Sequence, residues 1–469
     1  MNRRTFLKTL THVAAAGAAA GFAPRGRASL PERMTVAAVG DCLPTRRFTE
    51  RRDEPFLAVA ELLRGADCTW ANCETVIGDP RELYPAFKEG DPHVICEPWA
   101  ADALAWLGID FVGTANNHTM DWGHEGLAST LAQLERVGIA HAGAGEDLAQ
   151  ASRPGYYDCP AGRVAQVNCA SSFRDYFAAG SAHPYLRGRP GLNPLRVETI
   201  QQLDRDLFDR IAALQGKFIE RNGWTLFTEL IEEFQSKLPE GTAVLGETLF
   251  QAGDGYDQLA LPRPEDLERI TRAIGIGRNN ARVVMATLHA HEASGGLEIC
   301  DPFIPTFARA SIDAGADMFF AAGPHVLRGI EIYQGKPIFY SLSNFIFHEI
   351  MRSIPADAWA AAGLPKDSLD PSTYAATIPY SGDVRFWQSV VPVVTVEGGG
   401  ETEGGAARVV SVELYPLNLG FGEPYWRRGT PELARGVQAE AVLGELARLS
   451  EPFGTSIRIR DGVGYVDLG

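Results

Sequence analysis

Short apolar runs alternate with amphipathic helical patterns over the first third of the chain. The run MTVAAVGD predicts a buried strand that ends at Asp41, and CTWANCE predicts a second strand that ends near Glu74. IDFVGTANNH predicts a third strand, which runs into polar residues at its carboxyl end. The intervening segments FLAVAELLRGA, WAADALAWLG and HEGLASTLAQLERVG carry apolar residues at helical spacing. This alternation predicts an α/β fold with a parallel or mixed sheet covered by helices.

The same pattern returns in the second half of the chain. ARVVMATLHAHE predicts a strand that ends at His289 and His291, and ADMFFAAGPHV predicts a strand that ends at His325. IEIYQGKPIFYSLSNFIF predicts two strands around a turn at Gln334 and Gly335. Two more strand-like runs, VVPVVTVEG and ARVVSVELYPLNLG, precede SIRIRDGVGYVDL, whose Asp-Gly turn predicts a terminal hairpin. We therefore expect further sheet in this half.

Residues 197–264 interrupt the alternation. Leu203, Leu207, Ile211 and Leu214 keep helical spacing, whereas residues 239–264 are rich in loop-forming residues. We predict a helical insertion here, either a lid over the site or an elaboration of the packing. The predicted organisation is a signal at residues 1–28, a main domain at 33–450 that contains the insertion, and a C-terminal hairpin at 451–469.

Polar side chains follow the predicted strands at the points where the strands end. They are Asp41, Glu74, Asn117, His118, His289, His291 and His325. Because α/β sheets bind ligands at the carboxyl ends of their strands, we expect these side chains to meet at one edge. Carboxylate, amide and imidazole ligands suit divalent ions such as Mn²⁺, Zn²⁺ and Fe²⁺. Two such ions about 3.5–4 Å apart make hydroxide at neutral pH and clamp a displacement at phosphorus.

Each candidate also has a structural interpretation. Asp41 suits a turn or a helix cap, Glu74 suits the surface, and His118 suits a position beside a helix cap. His289 and His291 alternate, so on a straight strand both point to one face, where one binds metal and the other supports it. The remaining histidines outside the N-terminus have no comparable context and are predicted to be structural: His93, His124, His141, His183 and His348.

Charge and the N-terminus constrain the partners and the location. The 469 residues carry a formal net charge of −16, which argues against nucleic acid as the main partner because its phosphates would be repelled. Residues 1–28 have a charged start, a mildly apolar core and a small-residue end, and Arg3–Arg4 resembles a twin-arginine signal. We therefore predict export by the twin-arginine route to the periplasm or cell envelope, with no transmembrane span in the mature chain.

Five ordered blocks of sequence carry a resemblance to a known family. They are AVGD, WANCET, TANNHTMDWGHEGLASTLAQLERVGIAHAGAGEDLAQA, LHAHE and AGADMFFAAGPHVLRGIEIYQGKPIFYSLSNFIF. Together they resemble the CapA family of capsule and poly-γ-glutamate biosynthesis proteins, which is similar to the calcineurin-like metallophosphoesterases. The resemblance implies a four-layer α/β/β/α sandwich of the metallophosphoesterase type and a metal-dependent, phosphoesterase-like hydrolase. It also implies a small-molecule or polymer substrate and a capsule synthesis complex as partner.

The resemblance also implies roles for individual residues. The matching metal ligands are Asp41, Glu74, Asn117, His289 and His325. His118 matches the candidate general acid, and Asp121 would orient His118 or cap the following helix. An unperturbed imidazole titrates near pH 6.5, which suits proton transfer at neutral pH.

Three positions depart from the related patterns. Leu43 stands where ordinary phosphoesterases have the histidine of D-x-H, a gap that the family shares. Ala322 stands where relatives often have a histidine, and Ser343 stands where glycine is usual. We therefore expect one weak metal position or a reduced activity. Two other functions stay open: a non-catalytic polymer-binding or export component, and a metal-dependent amide hydrolase.

Overall fold

A computed structural model describes residues 31–86, 92–222, 241–245, 248–349, 353–368, 370–377, 379–399 and 407–469. The signal predicted at 1–28 lies outside the described residues. The strands are β1 (Arg33–Leu43), β2 (Cys68–Asn72), β3 (Val76–Ile77), β4 (Ile95–Cys96), β5 (Phe111–Gly113), β6 (Ala140–Ala142), β7 (Ala144–Gly145), β8 (Gly155–Cys159), β9 (Gly162–Ala170), β10 (Gly191–Leu192), β11 (Val197–Leu203), β12 (Thr242–Leu245), β13 (Thr248–Ala252), β14 (Asp257–Pro262), β15 (Val283–His289), β16 (Met318–Ala322), β17 (Ile330–Tyr333), β18 (Lys336–Phe339), β19 (Asn344–Phe347), β20 (Gln388–Glu397), β21 (Arg408–Asn418), β22 (Glu432–Leu433), β23 (Ile457–Arg460) and β24 (Val463–Val466).

The α-helices of the described residues cover these strands. They are α1 (Glu54–Arg64), α2 (Trp99–Leu107), α3 (Gly123–Val137), α4 (Leu148–Ser152), α5 (Arg205–Asn222), α6 (Pro264–Arg278), α7 (Phe303–Asp313), α8 (Ala356–Ala361), α9 (Pro371–Ala375) and α10 (Val437–Ser450). None of them combines the length and the apolar composition that a bilayer-spanning helix needs.

Two large sheets contain most of the strands. One has the order β23-β24-β21-β20-β1-β2-β5-β6, with β19 also paired to β1 and β22 to β21. The other has the order β17-β18-β16-β15-β9-β8. Strands β1, β2, β5 and β6 are parallel to one another, and so are β9, β15 and β16. The predicted α/β class is confirmed, and the parallel strands of each sheet end along one edge.

Alternate residues of the central strands face two different apolar clusters. In β1, Val36 and Ala38 belong to a cluster that the two large sheets share. Ala37 and Val39 point the other way, into a cluster with α1 and α2. The period of two is that of a strand buried on both faces. The apolar run of β1 is therefore explained by cover on both sides.

The second sheet is also covered on both faces. Trp70 of β2 stacks on Phe320 of β16 with ring centroids 5.7 Å apart, which joins the two sheets. On the opposite face, Val284 of β15 packs in a cluster with Ile274 of α6 and Phe307 of α7. The buried apolar area of these clusters is the main favourable term for folding.

The prediction for residues 197–264 requires correction. The segment contains the predicted helix α5, but also a sheet of order β12-β13-β11-β14, so the description as a helical insertion is wrong for those strands. These strands are four to seven residues long, too short for their periodicity to give a clear signal, and β11 pairs with β13 and β14, which are distant in sequence. Val197 and Ala260 pack against the cluster beneath α6 and α7. This contact agrees with the packing alternative for the insertion.

The last strands do not form a separate unit. β23 and β24 pair around the Asp-Gly turn as an antiparallel hairpin. Tyr465 of β24 is opposite Glu413 of β21, so the hairpin extends the larger sheet at its edge.

Candidate metal centre

A very close backbone contact fixes Asp41 at the end of β1. A Cβ atom on Gly40 would lie 1.7 Å from the carbonyl oxygen of Ser343, so only glycine fits there. The amide of Asp41 donates to the same carbonyl over 3.0 Å. The pairing of β1 with β2 shifts register between Val39 and Asp41, an irregularity of the kind that re-aims a side chain. Asp41 is fully buried at the edge where the strands end.

Glu74 lies at the centre of the converging side chains. Its Oε1 atom is 3.8 Å from Nε2 of His289 and 3.8 Å from Nε2 of His325. The same oxygen is 3.9 Å from Nε2 of His118. His289 is the last residue of β15, His325 follows β16 and His118 follows β5, and these strands belong to two different sheets. The structure therefore brings together residues that lie more than two hundred positions apart in the sequence.

The distances around Glu74 fit a shared cation. At 3.8–3.9 Å they are too long for hydrogen bonds. Typical Zn–N and Zn–O bonds of about 2.0–2.2 Å allow two ligands of one ion to lie up to about 4.3 Å apart. Among the described residues, two groups have ligand atoms within 4.8 Å of one another. They are Glu74, His289 and His291, and Asp41, Glu74 and His325. Glu74 belongs to both, as a carboxylate between two ions would.

His289 has the protonation state that a metal ligand needs. Burial holds the pKa of its imidazole well below the usual value, and the neighbouring His291, His325 and His118 lower it further. A neutral imidazole offers a lone pair to a cation, whereas a protonated one does not. The buried cluster thus keeps His289 ready to bind at neutral pH.

His291 lies beside His289 and extends the group of imidazoles. Their Nε2 atoms are 3.0 Å apart. A Cβ atom on Gly323 would come within 3.1 Å of both rings, so glycine leaves the room that they occupy. The amide of His291 donates to Ser172 Oγ over 2.7 Å, and this hydroxyl donates to Glu292 over 2.7 Å. The backbone of His291 is therefore held by the segment that follows β9.

Asp121 contacts His118 directly. Nδ1 of His118 is 2.6 Å from Oδ2 of Asp121, and the same oxygen accepts from the amide of Val94 over 2.7 Å. Asp121 is fully buried. Helix α3 begins after Trp122, and no side-chain cap bond forms at its first turn. Asp121 was predicted either to orient His118 or to cap the following helix. The structure contains its hydrogen bond to His118.

Asn116 holds the turn that carries Asn117 and His118. Its Nδ2 donates to the carbonyl of Cys73 over 2.8 Å, and its Oδ1 accepts from the amide of His118 over 3.0 Å. The amide of Ala115 donates to Asn168 Oδ1 over 2.7 Å, which ties the turn to the second sheet. Asn117 is half-buried in the same turn, next to His118.

Two asparagines that the sequence analysis missed contact the candidate ligands. Asn72 Nδ2 donates to Asp41 Oδ1 over 2.7 Å and lies 3.2 Å from Nδ1 of His289. Asn344 Oδ1 is 2.9 Å from Nδ1 of His325. Both asparagines occur inside quoted blocks, WANCET and YSLSNF, at the end or start of a strand. Their position at strand ends was a usable signal, but their partners depend on tertiary contacts.

Comparison with known proteins identifies the family of the chain. A sequence profile of the family described as "Bacterial capsule synthesis protein PGA_cap" matches residues 35–349, which contain all the site residues above. The chain belongs to this family.

Several relatives of this PGA_cap member have printed names. "Uncharacterized protein y4sH" of Sinorhizobium fredii is 33% identical over 449 residues, which is 93% of each chain. "Capsule biosynthesis protein CapA" of Bacillus anthracis is 23% identical over 325 residues, 68% of this chain and 61% of the relative. "PGA biosynthesis protein CapA" of Bacillus subtilis is 24% identical over 332 residues, 70% of this chain and 66% of the relative. The predicted CapA-family membership is thus confirmed.

Proposed function

We propose that this PGA_cap protein is a metal-dependent hydrolase that cleaves phosphoesters and serves capsule or poly-γ-glutamate biosynthesis. The observation that carries the proposal is the position of Glu74. One of its oxygens faces the Nε2 atoms of His289, His325 and His118 at 3.8–3.9 Å. The Glu74 carboxylate is fully buried. Buried charges of this kind are stabilised by a cation.

Two divalent ions, of Mn, Zn or Fe, are the proposed cofactors. Glu74, His289 and His291 would hold one ion, and Asp41, Glu74 and His325 the other. Asn117, in the turn that carries His118, would add the amide oxygen that the family resemblance implies. Ions in such a site supply Lewis acidity and activate water for attack at neutral pH.

Position 322, which is alanine in this chain, lacks the histidine that relatives often have there. Ala322 is the register partner of His289 on the adjacent parallel strand, and its small side chain is buried between the sheets. An imidazole at 322 would therefore lie next to His289, where relatives often carry one. In this chain His291 brings its Nε2 to 3.0 Å from Nε2 of His289 instead. We propose that His291 supplies the ligand that position 322 lacks.

His118 and Asp121 are the proposed proton-transfer pair. The carboxylate of Asp121 accepts from Nδ1 of His118, which stabilises the protonated ring and fixes its orientation. Nε2 of His118 then faces the ligand cluster, 3.9 Å from Glu74 Oε1. From there it can donate a proton to the oxygen of the leaving group.

The fold and the location of the protein form part of the same proposal. A four-layer α/β/β/α sandwich of the metallophosphoesterase type is supported by the three apolar clusters, one between the large sheets and one under the helices on each outer face. Residues 33–450 are the proposed catalytic domain. Export by the twin-arginine route to the periplasm or cell envelope rests on the sequence of residues 1–28, with its charged start, mildly apolar core, small-residue end and Arg3–Arg4 pair. The proposed substrate is a small molecule or a polymer, with a capsule synthesis complex as partner.

The test combines metal analysis with turnover of a generic substrate. Purified protein is dialysed, its Mn, Zn and Fe are measured by mass spectrometry, and hydrolysis of an aryl phosphate is followed with each ion added. The proposal predicts bound metal and metal-dependent hydrolysis, with both lost in Glu74→Gln. The matched control Glu125→Gln changes an exposed glutamate of α3 and should keep both properties.

The same experiment distinguishes the two other functions. Bound metal without turnover of phosphoesters or of amide substrates would favour a non-catalytic polymer-binding or export component. Turnover of an amide substrate alone would favour the amide hydrolase. Protein that retains no metal under any of these conditions would overturn the proposal.

A further inference from the structure

His325 has a backbone conformation that costs energy. Its φ angle is 59°, and that of Ser343 is 63°, so two buried non-glycine residues lie in the left-handed region. Such conformations persist only where the surroundings determine them strongly, and they concentrate at functional sites. The contacts between these two residues explain how the conformation of His325 is kept.

Ser343 binds His325 through a group that glycine does not have. Its Oγ donates to the carbonyl oxygen of His325 over 2.9 Å. The backbone of Ser343 is itself fixed, since its amide donates to Ser341 Oγ over 3.1 Å and its carbonyl accepts from the amide of Asp41. The hydroxyl therefore connects the strained turn at His325 to the end of β1.

Asn344 and Asp41 together determine which ring nitrogen of His325 carries the proton. Nδ2 of Asn344 donates to the carbonyls of Phe386 over 3.0 Å and of His325 over 3.3 Å. This arrangement turns Oδ1, an acceptor, toward Nδ1 of His325 at 2.9 Å. Oδ2 of Asp41 is a second acceptor, 3.1 Å from the same nitrogen. Because both facing atoms accept hydrogen bonds, Nδ1 must be the protonated nitrogen.

Three neighbouring aromatic rings also restrain the orientation of the His325 imidazole. The centroids of Phe347 and Tyr380 each lie 5.6 Å from that of His325. His291 is 5.5 Å away on an edge-to-face contact. With Nδ1 protonated and the ring enclosed, the Nε2 lone pair of His325 faces Glu74 Oε1 at 3.8 Å.

We propose that Asn344 and Ser343 are positioning residues that hold His325 as the Nδ1–H tautomer and present Nε2 as the metal-binding atom. Partners of this kind beyond the ligands typically change metal affinity by about 10- to 100-fold. The tautomer follows from the contacts of the protein alone, whereas its role as a ligand rests on the proposed function.

The tautomer is measured by long-range ¹H–¹⁵N NMR on protein labelled at histidine and freed of metal with EDTA. The His325→Gln spectrum identifies the signals of His325. The wild type is expected to show a protonated Nδ1 and an unprotonated Nε2. Asn344→Ala removes one of the two acceptors of Nδ1 and leaves Asp41 Oδ2, so it should raise the fraction of the Nε2–H tautomer. Asn344→Asp keeps an acceptor at 344 and should keep the wild-type tautomer. A wild-type His325 protonated at Nε2 would overturn the proposal without any variant.

Titration with Mn²⁺ gives the second readout. Asn344→Ala should bind Mn²⁺ about 10- to 100-fold more weakly than the wild type, and Asn344→Asp should lose less. Ser343→Gly, which tolerates the left-handed backbone, should weaken binding by the loss of the hydroxyl only. Unchanged tautomer and affinity in Asn344→Ala would overturn the inference. Absence of Mn²⁺ binding by the wild type would instead overturn the proposed function, since the tautomer is measured without metal.

Discussion

Nδ1 of His118 lies 2.6 Å from Oδ2 of Asp121, and both side chains are buried beside the ligand cluster. Because the amide of Val94 also donates to that oxygen, the carboxylate cannot turn away without losing a second hydrogen bond. If the proposed function holds, replacement of Asp121 should therefore separate proton transfer from metal binding.

Asp121→Asn should lower kcat for aryl phosphate hydrolysis by about 10²-fold or more, the range expected when general acid catalysis is lost. An amide oxygen in the place of Oδ2 can still accept from Nδ1, but it is neutral and no longer stabilises the protonated imidazole that donates the proton. Metal content should stay at the wild-type value. Asp102→Asn, which changes an exposed residue of α2, is the control. An unchanged kcat in Asp121→Asn would remove His118 from the proton-transfer role.

Two substitutions test whether His291 supplies the metal ligand that position 322 lacks. His291→Ala should reduce the metal retained after dialysis, because one ligand group loses an imidazole. Adding Ala322→His to this variant should restore metal, since residue 322 is the register partner of His289. Elemental analysis of the two variants and the wild type measures the effect. If His291→Ala keeps its full metal content, His291 is not a ligand.

The stability of the metal-free protein should fall as the solution is acidified. Burial, with Arg46 and Arg51 nearby, holds the pKa of His348 well below the usual value. Below the unfolded value of about 6.5 the unfolded chain therefore takes up a proton that the folded chain does not. The free energy of unfolding then falls by up to about 1.4 kcal/mol per pH unit for such a group.

His348→Gln should reduce the slope of the unfolding free energy against pH by up to about 1.4 kcal/mol per pH unit, which corresponds to one proton. Denaturant unfolding in EDTA between about pH 7 and pH 5 measures the slope. His124→Gln, which removes an exposed imidazole from α3, is the matched control. The same slope in wild type and His348→Gln would show that His348 does not contribute.

Two glycine substitutions should change stability in opposite directions. In Gly40→Ala the new Cβ would lie 1.7 Å from Ser343 O, so we expect destabilisation of about 1–3 kcal/mol, as for other overpacked sites. Gly444 lies in α10 with nothing within 4 Å of a Cβ, so Gly444→Ala should stabilise the protein by about 1 kcal/mol. Thermal and denaturant unfolding measure both. Equal stability of Gly40→Ala and wild type would contradict the close contact between β1 and Ser343.

The sequence was sufficient for the strands that carry the site and for most of its ionisable residues. Asp41, Glu74, His289 and His325 each follow an apolar run, and parallel strands put such ends at one edge. Local pattern failed for the short strands β11 to β14, where β11 pairs with β13 and β14, which are distant in sequence. It also failed for Asn72 and Asn344, whose hydrogen bonds join strands that only the folded chain brings together.

The central claim is that Glu74 and the imidazoles around it hold a cation. An anomalous difference map from crystals soaked in Mn²⁺ or Zn²⁺ tests it most directly. We predict one peak about 2.0–2.3 Å from the Nε2 atom of His289 and a second about 2.0–2.3 Å from the Nε2 atom of His325, both next to the Glu74 carboxylate. A fully soaked crystal with no anomalous peak near Glu74, or with the ion bound elsewhere, would contradict the account.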